Sequence, residues 1–357
     1  MKDSKSDLLI QGILAEGKGR TPYMFILKFV EQLKKNKFIR KVALQKKISF
    51  EFPVRFNIEP TNYCNLSCSM CPRELNRPFG YMDINLFKKI IDESILYGKR
   101  LIITINKDGE PLLHPELPQM IQYAKEKKAA YKINFYTNGI LLTEAKSVEL
   151  IKAGLDTIHI SIDAFTDETY KKIKNSQKLK VVEENVKGLI NLKEKHNSKT
   201  PLVIVKIIHT PDTQDEIKPF VKKWKGIADF VEIGEYHTWD GTLTSQNLQE
   251  QSKSVSKTKR YPCPFLWYNP VILWDGRVTT CCVDYQGKNV IGDIRKDSLA
   301  GIWQGNKLQN IRMAHLEGWY DSIPLCNKCQ FWKCEVNIER WVRRVSPCII
   351  RSDKSGK

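Results

Sequence analysis

The stretch VRFNIEPTNYCNLSCSMCP, Val54 to Pro72, joins a β-branched run to a loop that contains three cysteines. A short apolar run bounded by turn-forming residues is typical of a buried strand. The thiols follow at Cys64, Cys68 and Cys71, with three residues and then two residues between them. The sequence therefore places a tight group of metal-ligand side chains directly after a strand.

Further β-branched runs follow this strand, and helical segments separate them. The runs are LIITI, YKINFYT, TIHISID, LVIVKII and FVEIGE, and the segments between them include DINLFKKIIDESILYG and PELPQMIQYAKEKK. Alternation of this kind from 53 to 236 predicts a parallel α/β sheet of six strands. It fits either a doubly wound sheet or a partial barrel, and both gather ligand-binding loops at the carboxyl ends of the strands.

The second, third and fourth strands also end in polar or glycine-containing loops. KDGEPLLHP (Lys107–Pro115) follows the second strand, YTNG (Tyr136–Gly139) closes the third and SIDA (Ser161–Ala164) closes the fourth. Because the carboxyl ends of parallel strands meet at one rim of a sheet, we expect these loops to lie beside the three cysteines.

The composition restricts the class of protein. With 357 residues, 41% hydrophobic and 27% charged, the chain is long enough for one large globular domain and a smaller one. No apolar run reaches the length of a membrane span, and the start MKDSKSDLLIQG lacks the apolar region of a secretory signal. We therefore expect a cytoplasmic protein, in which ten cysteines act as metal ligands or redox groups rather than disulfides.

The net charge of +18 is concentrated towards the N-terminus, because residues 1–50 hold twelve Lys and Arg against four Asp and Glu. A solvated lysine-rich surface is the ordinary explanation. The segment Thr21–Lys47 is also amphipathic, so peripheral contact with an anionic membrane surface or with a phosphorylated substrate is a second interpretation. A nucleic-acid partner is disfavoured, since no recognition motif accompanies the charge.

Three thiolates are one fewer than a cubane [4Fe-4S] cluster normally takes, so one iron is left open. An open coordination position distinguishes a catalytic metal centre from a closed structural one. The alternatives are a zinc knuckle or inert buried thiols. Zinc requires a fourth Cys or His nearby, and the nearest histidine is His114.

The spacing of Cys64, Cys68 and Cys71 resembles the signature of the radical S-adenosylmethionine (radical SAM) superfamily. In that family the open iron binds the amino and carboxylate groups of SAM. The resemblance implies a partial (β/α)6 TIM-like barrel, reductive cleavage of SAM to a 5′-deoxyadenosyl radical, and a reducing partner such as flavodoxin or ferredoxin. Met70 stands where the family usually has an aromatic residue.

The loops after the next strands resemble other motifs of the family. In GEPLLHP the resemblance implies that Glu110 holds the SAM ammonium, although Asp108 replaces a glycine that is usual there. YTNG and SIDA resemble the adenosine-side motifs, which implies that Asn138, Ser161 and Asp163 lie near the ribose or the carboxylate of SAM.

The segment from 261 to 335 resembles the SPASM or shorter twitch extension of radical SAM enzymes, which carries auxiliary clusters. Its marks are Gly276 five positions before Cys281, the turn WDGR, and the pair Cys326 and Cys329. A full SPASM pattern would place a cysteine at 338, where this chain has Ile338. One auxiliary [4Fe-4S] cluster is therefore expected, which with the SAM-binding cluster makes two.

We predict Cys263, Cys281, Cys326 and Cys329 as its ligands, with Cys334 as the alternative fourth ligand. Cys282 should point away from Cys281, because successive side chains on a strand face opposite sides. Cys348 is expected as a plain thiol.

The predicted organisation has five parts. They are a basic, mainly helical N-terminal extension (1–50), the barrel (51–239), a polar linker (240–260), the auxiliary-cluster domain (261–335) and a C-terminal helix and tail (336–357).

An auxiliary cluster filled by protein ligands favours oxidation, since it can accept an electron. We expect dehydrogenation of a small, anionic or phosphorylated substrate: a sugar, an aminocyclitol or a nucleotide-linked sugar alcohol. The catalytic candidates are Lys206, Glu235 and Cys282, with Glu232 beside them. The alternatives are a radical epimerase, in which Cys282 or Cys348 returns a hydrogen atom, a SPASM-type peptide-modifying enzyme, a nucleic-acid-modifying enzyme, and an iron-sulfur electron carrier, which would need no SAM motifs.

Overall fold

The computed structural model describes residues 52–53, 55–72, 76–97, 101–236, 260, 262–329, 331–332 and 349–351. The predicted N-terminal extension and nearly all of the predicted linker lie outside these residues. So do Cys334 and Cys348, and of Glu235 the backbone is described but not the side chain. The predicted domain boundaries therefore stay predictions.

Six parallel strands form the centre of one sheet, at the positions of the six predicted runs. They are β1 (Arg55–Ile58), β2 (Leu101–Ile105), β3 (Ala130–Thr137), β4 (Thr157–Ser161), β5 (Leu202–His209) and β6 (Phe230–Glu235). Each pairs with the next along the chain. A doubly wound sheet would reverse its strand order, so this unbroken order confirms the partial barrel.

Helices connect these strands and cover the outer face of the sheet. They are α1 (Ile84–Ile95), α2 (Leu117–Glu126), α3 (Glu144–Lys152), α4 (Asp167–Lys174), α5 (Leu179–Lys195) and α6 (Ile217–Trp224). Asp83, Thr143 and Thr166 accept hydrogen bonds from backbone amides of the first turns of α1, α3 and α4, as N-cap residues do.

The two faces of the central sheet differ in chemistry. Outward residues such as Phe56, Ile103, Phe135 and Val205 are fully buried and belong to one hydrophobic core. The alternate residues on the inner face include many polar and charged side chains that are partly exposed. Since side chains alternate along a strand, the barrel has an apolar outside under the helices and a polar interior.

The barrel curls until its ends approach each other. Tyr236, directly after β6, is in electrostatic contact with Cys71 in the loop after β1. The loops of the first and sixth strands thus face one another across the rim.

The C-terminal region continues the same sheet. Strand β7 (Val271–Ile272) pairs parallel with β1, and β8 (Arg277–Thr279) and β9 (Val290–Asp293) follow antiparallel. The predicted WDGR turn joins β7 to β8, where Gly276 has a φ of +88°. The helices α7 (Leu299–Gln304), α8 (Asn306–Glu317) and α9 (Pro324–Asn327) follow.

A last strand, β10 (Ile349–Arg351), pairs antiparallel with β6 and lies within the predicted C-terminal helix and tail. Among the described helices, none is both long and apolar enough to span a membrane.

Candidate active site

Hydrogen bonds to the C-terminal end of helix α4 hold the three-cysteine loop in place. The backbone amide of Ser69 donates to Ile173 O at 2.9 Å, and Asn175 Nδ2 donates to Ser67 Oγ at 3.1 Å. Cys64 and Cys68 pack against the hydrophobic core. The loop therefore has a defined position on the barrel rim.

The loop after β2 approaches the cysteine loop so closely that only glycine fits at position 109. A Cβ on Gly109 would lie 2.3 Å from Thr61 O and 2.5 Å from Tyr63 O. The next residue uses this approach, because the amide of Glu110 donates to Tyr63 O at 2.8 Å. The glycine thus brings Glu110 to the base of the cysteine loop.

The Glu110 carboxylate is buried and accepts three hydrogen bonds, from Thr137 Oγ1 at 2.7 Å, Asn138 N at 2.8 Å and Leu112 N at 3.1 Å. Burial raises the pKa of Glu110, although these donors oppose the shift. Two carboxylate oxygens offer about four lone-pair sites, so capacity remains for one more donor such as an ammonium group.

Asn138 forms a local turn and also reaches the cysteine loop. Its Oδ1 accepts from Ile140 N at 3.0 Å, and its Nδ2 donates to Asn65 Oδ1 at 2.7 Å. Asn138 and Ser161 both line a cleft of about 170 Å³ beside the cysteines.

That cleft brings the four predicted motifs together at one rim. Its lining includes Cys64, Cys68, Cys71, Lys107, Asp108, Glu110, Tyr136, Asn138, Ser161 and Tyr285. Asp163 is absent from this lining and forms a buried ion pair instead, with Lys174 Nζ 2.6 Å from its Oδ2. Its Oδ1 is buried and has no hydrogen-bond partner in the described part of the chain. An unpartnered buried oxygen of this kind fits a site that a bound cofactor completes.

Helix α4 supplies two buried residues that sequence reasoning missed. Lys174 and Tyr170, one helical turn apart, are both in electrostatic contact with Cys68. Burial would lower the pKa of Lys174, but Asp163 and Cys68 raise it. Lys174 thus places a fixed positive charge beside the cysteine loop.

Asp108, which departs from the family pattern, belongs to a buried charge network. Its carboxylate lies 2.8 Å from Arg77 Nη2 and 2.7 Å from Lys107 Nζ. Arg77 also holds Glu59 with both terminal nitrogens and donates to Tyr285 O at 3.2 Å. This network ties the loop after β2 to the C-terminal region.

The predicted auxiliary ligands come together from three segments. Cys281 is in electrostatic contact with Cys263, Cys326 and Cys329, and burial is the largest cause of its strongly raised pKa. A raised pKa disfavours bare thiolates, and a metal cluster reverses that preference. Among the described residues no group of three or more His, Cys, Asp or Glu side chains has the geometry to hold one metal ion. A cubane presents separate iron corners, so its ligands need not converge on one point.

Backbone contacts hold the thiol-bearing segments in place. His315 Nδ1 accepts from the amide of Cys263 at 3.2 Å, Arg260 Nη2 donates to Cys326 O at 2.6 Å, and the amide of Phe331 donates to Cys329 Sγ at 3.3 Å.

Cys282 interacts electrostatically both with an auxiliary thiol and with the barrel. The expectation that a strand would separate it from Cys281 was wrong, because β8 ends at Thr279 and both cysteines lie beyond it. Both cysteines are in electrostatic contact with Cys329, and Cys281 with Cys282, but Cys282 also interacts with Lys107 and Arg55 of the barrel. Cys282 is also in electrostatic contact with the cleft residue Tyr136.

A polar cluster, Tyr136, His159, Lys206 and Glu232, lies on the inner face of β3 to β6. Tyr136 stacks on His159 with ring centroids 4.3 Å apart, and His159 Nδ1 lies 3.1 Å from Glu232 Oε2. Lys206 Nζ lies 3.3 Å from Glu232 Oε1. The predicted candidate Lys206 is thus an ion-paired residue.

The protonation of this cluster follows from its contacts. Burial would raise the pKa of Glu232, but Lys206 and His159 hold it at about 2. Burial lowers the pKa of His159, so its imidazole is neutral at pH 7. Burial would lower the pKa of Lys206 as well, but the Glu232 carboxylate raises it. At pH 7 the cluster therefore contains an anionic Glu232, a cationic Lys206 and a neutral His159.

Two domain models match the chain. Residues 58–222 match the model of the Radical SAM superfamily, and residues 263–330 match the SPASM model, an iron-sulfur cluster-binding domain. The chain belongs to the radical SAM superfamily. As a radical SAM protein with a SPASM domain it uses SAM and two [4Fe-4S] clusters. The thiols, Glu110 and the unpartnered oxygen of Asp163 suit that cofactor set.

The proteins that resemble this radical SAM protein are named or bound with different molecules. A tungsten-containing aldehyde ferredoxin oxidoreductase cofactor-modifying protein of Pyrococcus furiosus is 24% identical, over 84% of this chain and 98% of its own. The structure of BtrN in complex with AdoMet and 2-DOIA has a TM-score of 0.53 at 18% identity, covering 79% of this chain and 94% of BtrN. That of Streptococcus suis SuiB bound to precursor peptide SuiA has a TM-score of 0.60 at 15% identity, covering 77% and 70%. The structural likenesses support the fold.

Proposed function

We propose that this radical SAM protein dehydrogenates a hydroxylated or aminated small molecule, such as a sugar, an aminocyclitol or a nucleotide-linked sugar, held inside the barrel. The observation that carries the proposal is the position of Cys282. It is in electrostatic contact both with the auxiliary thiol Cys329 and with the cleft residues Lys107 and Tyr136. The auxiliary thiols therefore adjoin the space beside the SAM cleft, where an electron acceptor for a substrate radical is needed.

The ligand assignments follow from the two groups of thiols. Cys64, Cys68 and Cys71 would hold the SAM-binding cluster, with Glu110 taking the SAM ammonium and Asn138, Ser161 and Asp163 near the rest of SAM. Cys263, Cys281, Cys326 and Cys329 would hold the auxiliary cluster. When bound, these groups supply the radical that removes a hydrogen atom and the acceptor for the electron that remains. A one-electron reductant such as flavodoxin or ferredoxin, in a reducing cytoplasm, suits this chemistry.

Oxidation of an alcohol to a ketone also requires a base for the hydroxyl proton. His159 fits this role better than the predicted candidates, because it is neutral and Glu232 orients it through Nδ1. Lys206 is protonated in its ion pair and so acts as a cation. For an alcohol, the radical supplied by bound SAM would take the hydrogen atom from carbon, the hydroxyl proton would pass to His159, and the remaining electron would pass to the auxiliary cluster that Cys263, Cys281, Cys326 and Cys329 would hold.

The position of Cys282 favours one other reaction, radical epimerisation, in which its thiol would return a hydrogen atom to the substrate carbon. The two reactions differ in mass balance. Dehydrogenation removes two hydrogens, whereas epimerisation leaves the formula unchanged and introduces solvent hydrogen.

The test uses anaerobically reconstituted protein, SAM, a one-electron reductant and a panel of sugars, aminocyclitols and their phosphates in heavy water. Mass spectrometry should find a product lighter by two hydrogens, with one SAM consumed per product. A product of unchanged formula that carries one deuterium, and that disappears in Cys282→Ala, would contradict the dehydrogenase and establish the epimerase.

A further inference from the structure

The inner face of the barrel carries two cations, Arg55 and Lys132, that form no ion pair among the described residues, although Asp156 favours the charge of Lys132 from a longer distance. Lys107 and Lys206 have ion-pair partners in Asp108 and Glu232. Across the described residues, Arg55 and Lys132 have no carboxylate within ion-pair distance. The guanidinium of Arg55 donates to Thr104 Oγ1 at 3.3 Å, while its Nε is buried without a partner.

Strand register places these two cations on the same face. Arg55 in β1 and Lys132 in β3 both pair with Ile102 of the strand between them. Residues directly opposite one another share a face, so both side chains extend from the inner face about 10 Å apart at the backbone. The two charges repel each other, and this repulsion helps to lower the pKa of Lys132.

The cations adjoin the polar cluster. Tyr136 is in electrostatic contact with Arg55, and His159 with Lys132. Along β3, Lys132 precedes Tyr136 by four residues, which is about 13 Å of strand. The basic pair thus lies deeper in the barrel than the cleft beside the cysteines.

Other inner-face groups also lack partners. Asn57 Oδ1 and Thr157 Oγ1 are buried without hydrogen bonds within the described ranges, and they lie two positions along β1 and β4 from Arg55 and His159, on the same face. Native interiors rarely leave such atoms unsatisfied unless a ligand or water completes them. Two like charges that are both partly buried on one face are also costly unless an anion joins them.

We propose that Arg55 and Lys132 form a phosphate subsite, which binds the phosphoryl group of the substrate while its reacting carbon lies near Tyr136 and the cleft. A dianionic phosphate can accept from a guanidinium and an ammonium together. The spacing favours an elongated substrate, because the backbone of Lys132 lies about 13 Å along β3 from that of the cleft residue Tyr136. This subsite rests on the proposed function, because it treats the barrel interior as the substrate chamber.

Isothermal titration of the anaerobic, SAM-loaded protein at constant ionic strength tests the subsite. The probes are inorganic phosphate, ribose 5-phosphate and ribose. Wild-type protein should bind both phosphates saturably, and ribose more weakly. Arg55→Gln and Lys132→Gln should each weaken phosphate binding about tenfold or more, since each removes a charged hydrogen bond. Lys152→Gln removes an equal charge from the exposed face of α3 and should bind phosphate like the wild type.

Iron content and circular dichroism identify variants that have not folded, and Arg55→Lys, which keeps the charge, should retain part of the binding. Equal phosphate affinity in wild type, Arg55→Gln and Lys132→Gln would overturn the subsite, as would tighter binding of ribose than of its phosphate. Titration of the unloaded protein with SAM separates the two claims. SAM binding without phosphate binding contradicts the subsite alone, whereas failure to bind SAM contradicts the proposed function.

Discussion

Lys174 Nζ lies 2.6 Å from Asp163 Oδ2, and the two residues are 4% and 1% exposed. Lys174 is also in electrostatic contact with Cys68. One buried cation therefore links the SIDA loop after β4 with the cysteine loop after β1. Its loss should affect both.

Replacing Lys174 by Met should lower the free energy of unfolding by about 3–5 kcal/mol, because Asp163 would remain buried and unpaired. The double variant Lys174→Met with Asp163→Asn should recover part of this loss. Lys172→Met breaks the exposed pair with Asp212 and should cost less than about 1 kcal/mol. Denaturant unfolding measures all three, and equal losses in Lys174→Met and Lys172→Met would contradict the role of the buried pair.

Gly109→Ala should prevent the loop after β2 from reaching the cysteine loop, because the new Cβ would overlap backbone oxygens of Thr61 and Tyr63. We expect a lower melting temperature and loss of iron. Gly188→Ala in α5 is the matched control, since a Cβ there meets nothing within 4 Å, and it should stabilise the protein by about 0.5–1 kcal/mol. Full iron content in Gly109→Ala would show that the loop can shift.

Glu110→Gln should weaken SAM binding by tenfold or more, because it removes the charge proposed to hold the SAM ammonium. Thr137→Val removes one hydrogen bond to Glu110 without changing the charge, and should weaken SAM binding less. Equilibrium dialysis of the reconstituted variants gives both affinities. An unchanged affinity in Glu110→Gln would place the ammonium elsewhere.

His159 should make stability depend on pH. Its pKa in the folded protein is below the ordinary 6.5, so the unfolded chain binds the proton more readily. Stability from the neutral imidazole is therefore complete above pH 6.5 and declines as pH falls towards the lowered value, by up to about 1.4 kcal/mol per pH unit. His159→Gln should flatten this dependence between pH 7.5 and 5.5. An identical pH slope in the variant would show that His159 is not buried in its neutral form.

The sequence predicted local features of this fold better than long-range contacts. The six strands and the loops after them follow from hydrophobic periodicity, and the two cysteine groups follow from spacing within short segments. The contact of Lys174 with Cys68 joins residues about one hundred positions apart, and nothing near either residue indicates it.

The polar cluster left a weaker signal. His159 interrupts an otherwise apolar strand, and Glu232 does so two strands away, but their hydrogen bond depends on the register of β4, β5 and β6. The placing of Cys281 and Cys282 on a strand failed for a related reason. The strand before them, β8, has only three residues and ends at Thr279, and the ends of strands are poorly marked in a sequence.

The account depends most on the auxiliary cluster, which Cys263, Cys281, Cys326 and Cys329 would hold, acting as the acceptor of the substrate electron, and Cys281→Ala tests this directly. With a reactive substrate from the panel, the wild type should contain about eight irons and form 5′-deoxyadenosine and oxidised product in equal amounts. Cys281→Ala should keep about four irons and still form 5′-deoxyadenosine, but yield almost no oxidised product. Oxidised product at the wild-type rate from a Cys281→Ala protein with about four irons would contradict the account.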